Sequence, residues 1–104
     1  MSQYLENVKK YVASPNEDAI DALVGHLGIA LDNRDSSLVA AGDPKELELI
    51  KNGYCSKNLD LDDEEADKAI AAVCQKMQSD HAKCRVTFYY LLAEESGTMN
   101  RLAG

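Results

Sequence analysis

The chain has 104 residues, 45% hydrophobic and 28% charged, and its 11 Lys and Arg against 18 Asp and Glu leave it at −7. That length fits one small domain, and an ordinary apolar fraction with 6 Gly and 2 Pro excludes collagen, coiled-coil arrays and disordered tails. The acids are spread evenly over both halves, so no basic stripe is hidden by the average, and nucleic acid or an anionic membrane surface is an unsuitable partner.

In chain order, Tyr4, Val8, Tyr11 and Val12 share one side of a short N-terminal helix. Met1 to Tyr11 holds no signal-peptide apolar core, and no apolar run reaches the roughly 18–20 residues of a membrane span, so a cytoplasmic protein with no membrane partner is expected. Ser14-Pro15-Asn16-Glu17 reads as a helix start, with Ser14 as N-cap, Pro15 at the first position and Glu17 closing a capping box. Ala19, Ile20, Leu23, Val24, Leu27 and Leu31 then form an apolar helical face, which Gly25 and Gly28 weaken and can bend. Asp32 to Ser37 reads as a loop.

Asp43-Pro44-Lys45-Glu46 repeats the start signal, and Leu47, Ile50 and Tyr54 share the face that follows, with Gly53 as an interruption. Leu59 and Leu61 alternate with polar residues in a connection. Asp62 caps a fourth helix, whose first turn collects Asp63, Glu64, Glu65 and Asp67 and whose stripe is Ala66, Ala69, Ile70, Val73, Cys74 and Met77. Ser79-Asp80 breaks it and caps a fifth, along which Cys84, Phe88, Leu91 and Leu92 align before Gly97 at C′. Val86 to Tyr90 has strand-like composition, but its flanks are helix formers and no second strand signal exists to pair with it. The sum is an all-α, compact single domain of about five short helices over 1–104, with 1–2 and 98–104 expected to be loose.

Asp35-Ser36-Ser37-Leu38-Val39-Ala40, Asp43-Pro44-Lys45-Glu46-Leu47, Ile50-Lys51-Asn52 and Arg85-Val86-Thr87-Phe88-Tyr89-Tyr90-Leu91-Leu92 together resemble a family of small bacterial proteins, domain of unknown function 2853, over roughly residues 20–95. Gly53-Tyr54-Cys55-Ser56 departs from that pattern, standing where a more apolar helical run is expected. The resemblance implies a mainly helical, stand-alone bacterial cytoplasmic protein and brings no catalytic residue with it.

Familiar chemistry is scarce. The acidic run from Asp60 to Asp67 lacks the Gly and the final Glu of a calcium loop in either register. His81 and Cys84, with Cys74 or Cys55, supply only one close pair of soft ligands, so no metal and no cofactor is expected. Three cysteines without a CxxC read as reduced thiols rather than a disulfide framework. The candidate binding residues are the polar loop Arg34, Asp35, Ser36 and Ser37, together with Arg85, Tyr89 and Tyr90. If Phe88, Leu91 and Leu92 face the core, one of the two tyrosines borders it and the other is more exposed, which beside Arg85 suits a protein interface. The leading expectation is a non-enzymatic protein acting through a protein partner or as a homodimer. The alternative is a small-ligand-binding domain using the Gly25–Ser37 region with Tyr89 or Tyr90, and a third is a thiol enzyme or redox sensor on Cys55 or Cys84.

Overall fold

Eight consecutive side chains, Val86 to Ala93, are buried, and the other helices are arranged around that run. The computed structural model describes residues 2–32, 37–80 and 83–99. In these, five α-helices follow one another: α1 (Ser2–Lys9), α2 (Glu17–Asp32), α3 (Pro44–Ile50), α4 (Asp63–Lys76) and α5 (Arg85–Ser96). A π-helical stretch, Lys51–Asn58, continues α3 without a break. The Val86–Ala93 run of α5 is buried on every side, and α1, α2 and α4 each pack against the helix. An all-round apolar helix belongs in the middle of a small fold. The strand-like composition of Val86–Tyr90 is overridden by that position, and the segment is helical.

Local signals set most helix ends. Asp43 caps α3 by accepting from the Lys45 N–H at 3.0 Å, with Pro44 at the first position. Asp62 and Glu65 form a full capping box at α4, at 2.8 and 3.3 Å. Gly97 ends α5 at φ 72, where an L-side chain is strained, and the Thr98 N–H reaches back to the Ala93 carbonyl at 2.9 Å. Thr98 and Met99 are thereby tied to the fold, since Thr98 also hydrogen-bonds Ser96 and Met99 packs on the core.

Four local expectations are corrected. The helix α2 starts at Glu17, and Asn16 rather than Ser14 caps it, its Oδ1 accepting from the Ala19 N–H at 3.2 Å. Glu46 does not close a capping box at α3, because its carboxylate turns to Arg85. Gly53 does not interrupt the third helix: the chain widens into i→i+5 turns and carries Tyr54 and Cys55 into the core. Ser79-Asp80 does not cap the fifth helix, since the Asp80 carboxylate accepts from the Tyr11 hydroxyl at 2.9 Å and its carbonyl from Lys83 Nζ at 2.8 Å. The helix begins five residues later, after Cys84, which instead pairs with Leu38 in an isolated antiparallel bridge. Gly28, with φ 3 and ψ −84, bends α2 as its sequence allows.

Candidate functional site

Arg85 is the polar centre of the described residues. The bridge places it: the Val39 N–H donates to the Lys83 carbonyl and the Arg85 N–H to the Ser37 carbonyl, both at 2.8 Å. From the first turn of α5 the guanidinium then reaches three ways. Nη2 donates to the Leu38 carbonyl at 3.1 Å and to Glu46 Oε1 at 2.5 Å, and Nη1 to the Tyr89 hydroxyl at 3.1 Å. A planar fork is what lets one side chain satisfy separated acceptors. The Tyr89 ring stacks on Tyr54 with centroids 4.1 Å apart, and the Tyr54 hydroxyl donates to the Tyr89 carbonyl at 2.9 Å. The chain of contacts therefore runs inward from Glu46 through Arg85 and Tyr89 to Tyr54.

Burial works against the Arg85 charge, yet Glu46 and Tyr89 outweigh it and hold the guanidinium above its ordinary pKa. Burial likewise raises the Tyr89 phenol, with Arg85 pulling partly the other way, and raises Tyr54 far above the usual phenol range. Both phenols are neutral at physiological pH, the Tyr54 hydroxyl donating and the Tyr89 hydroxyl accepting. Among the described residues no buried side-chain nitrogen or oxygen lacks a hydrogen-bond partner.

The candidates chosen from sequence are thus partly assembled and partly separated. Arg85 and Tyr89 meet, with Ser37 and Leu38 beside them through backbone bonds. Tyr90 points elsewhere, its hydroxyl accepting from the Asn16 N–H at 2.7 Å at the start of α2. Neither tyrosine is exposed, at 7% for Tyr89 and 2% for Tyr90, because α5 is covered on all sides. Arg34, Asp35, Ser36 and His81 lie outside the described residues. Cys55 is fully buried and burial pushes its thiol up to about 11, while Cys74 and Cys84 are half-buried and all three are free. Among the described residues no three His, Cys, Asp or Glu side chains come together to hold a metal ion, and no helix is long and apolar enough to cross a membrane.

A second region escaped the sequence reading. A cleft of about 480 Å³ separates two walls. One wall is Pro44, Leu47, Glu48, Lys51 and Asn52 from α3 and its π-helical continuation; the other is Asp63, Asp67 and Ile70 from α4. Lys51 Nζ pairs with Asp67 at 3.2 Å across it, and Asp67 foremost raises the lysine pKa. Leu49, the one large hydrophobic strongly exposed among the described residues at 70%, lies on α3 but is not among the residues that line the cleft. The signal was present in the sequence: Leu49 is out of phase with the Leu47–Ile50–Tyr54 face.

Fold and site together define a small helical domain whose buried polar groups bond to one another. The model of the family described as protein of unknown function (DUF2853) matches residues 3–100, and the chain belongs to that family. A comparison with curated proteins finds no match.

Proposed function

We propose that this is a non-enzymatic bacterial cytoplasmic protein that works by binding another protein. The observation that carries the reading is Leu49, 70% exposed on α3, while the chemistry-bearing side chains Arg85, Tyr54, Tyr89 and Tyr90 hold the fold together. An isolated exposed leucine is ordinary; one on a helix that also walls a cleft offers a partner an apolar anchor on the same element as a concave surface.

A photo-crosslinking residue at Asn52, with a control at Gln75, tests this in the native cell. The expected result is a discrete adduct from position 52 alone, with its partner peptide mapped and with the adduct lost on Leu49→Asp. No adduct from either position, together with a strict monomer in analytical ultracentrifugation, overturns the reading.

A further inference from the structure

We propose that Lys51–Asn58 is a two-register latch, held in wide turns by two pins on α5 and able to convert to an α-helix when a pin lets go. The pins come first. Glu46 on α3 bonds Arg85, while the Tyr54 hydroxyl bonds the Tyr89 carbonyl and its ring stacks on the Tyr89 ring. Arg85 and Tyr89 are four apart on α5 and share a face. Their partners must then share a face too, although Tyr54 lies eight residues after Glu46. In an unbroken α-helix eight steps of about 100° end roughly 80° past the starting side. Turns closed five residues back instead of four take up that excess, and Tyr54 returns into line with Glu46.

The second register uses groups already in place. The Leu59 N–H donates to the Tyr54 carbonyl at 3.1 Å, five residues back, and the Leu61 N–H to the Cys55 carbonyl at 2.9 Å. In an α register the Leu59 N–H takes the Cys55 carbonyl, four residues back, and Leu61 gives it up. Between those two leucines stands Asp60 at φ 55, the one non-glycine among the described residues with a positive φ. That conformation is strained for an L-residue, if least so for Asp and Asn. The wide register gains the Tyr54 stack and its hydrogen bond, and the α register gains ordinary turns and relief at Asp60. An outlier held only by its surroundings is where a fold stores a second state. Asn52, Ser56, Lys57 and Asn58 are exposed, so the outer side of the segment can turn freely. Conversion changes the face that Lys51–Asn58 presents while α3 before it stays in place.

NMR relaxation dispersion and saturation-transfer exchange on the isotope-labelled full chain test this, since they report the population and carbon shifts of a minor state. The expected exchange is confined to residues 51–61 and Tyr89, and in the minor state the Asp60 carbons leave left-handed for right-handed values. Tyr54→Phe keeps the ring but removes one hydrogen bond, and it is expected to raise the minor population about fivefold. Glu46→Gln loosens the other pin and is expected to raise it as well. Gly97→Ala, which weakens the far end of α5 without touching the segment, is the control and is expected to leave the population unchanged. A population that either pin substitution fails to raise overturns the inference. So does exchange that spreads through α1, α2 and α4, or an equal rise with Gly97→Ala, because each of these reports general opening rather than a change of register.

Discussion

Replacing Arg85 with Met separates the guanidinium's polar role from its bulk, because Met keeps an unbranched apolar stem in place. The change removes the bonds to the Leu38 carbonyl and the Tyr89 hydroxyl, at 3.1 Å each, and leaves the Glu46 carboxylate without its cation. Breaking a buried ion pair from one side costs about 3–5 kcal/mol in all, the charge-assisted bonds of the guanidinium included. Arg85 and Glu46 retain 13% and 19% side-chain exposure, so Glu46 recovers part of its hydration and the loss falls at the low end. A net destabilisation of about 3 kcal/mol follows, or a fall in Tm of roughly 12–20 °C for a domain of this size. Urea unfolding followed by circular dichroism measures it, with an unchanged m value as the check on two-state behaviour. Glu46→Leu in the same chain is expected to recover about 1–2 kcal/mol, because the stranded carboxylate is gone. Arg85→Lys keeps the charge without the fork and falls between wild type and Met. Hydrogen exchange adds a local readout: the Val39 and Arg85 amides, which form the bridge, lose protection. A loss below about 1 kcal/mol, with no coupling to position 46, refutes the view that this cluster holds the fold together.

Gly97→Ala is expected to cost about 1 kcal/mol by thermal unfolding, since a Cβ meets no atom within 4 Å there and only the φ of 72 opposes it; a neutral result contradicts the left-handed cap. Stability is expected to hold to about pH 9 and then to fall as the pH rises from 10 to 12. Tyr11 is raised to about 12 by burial and by Asp80, and Tyr54 and Tyr89 are raised by burial, so the folded state keeps protons that the unfolded chain releases near 10. Phenolate absorbance and unfolding should therefore rise together for these residues, and early ionisation without unfolding contradicts the assignment. Cys55, buried and with its thiol at about 11, is expected to resist a thiol reagent at pH 7.4 until the chain unfolds; rapid labelling of the native protein revives a redox role.

Which parts of the fold were legible follows from range. Asp43, Asp62 and Gly97 act on backbone groups two to five residues away, and their roles could be read directly. Asn16 could not, because what fixes the start of α2 includes the Tyr90 hydroxyl, 74 residues on. Asp80 looked like a cap but is taken by Tyr11, 69 residues before it. The same limit governs the site. Arg85 was identifiable as a candidate, yet its partner Glu46 sits 39 residues away inside a sequence that spells a capping box. Tyr89 and Tyr90 misled for a different reason. Helical periodicity assumes that one face meets water, and Val86–Ala93 has none that does. Nothing in Lys51–Asn58 announces wider turns, which are settled by where Tyr54 and Cys55 must pack.

The order of the helices also bears on how the chain is made. The segment that α1, α2 and α4 pack against is the last of the five to leave the ribosome. At about 5–20 residues per second, on the order of 5 to 20 s separates the appearance of α1 from that of a finished α5. Throughout that interval Val8, Ile20, Leu23 and Val73 exist without the surface that will cover them. Folding is therefore held until synthesis has passed Ser96, and a ribosome stalled earlier presents bare apolar helices to chaperones and proteases rather than a partly finished domain.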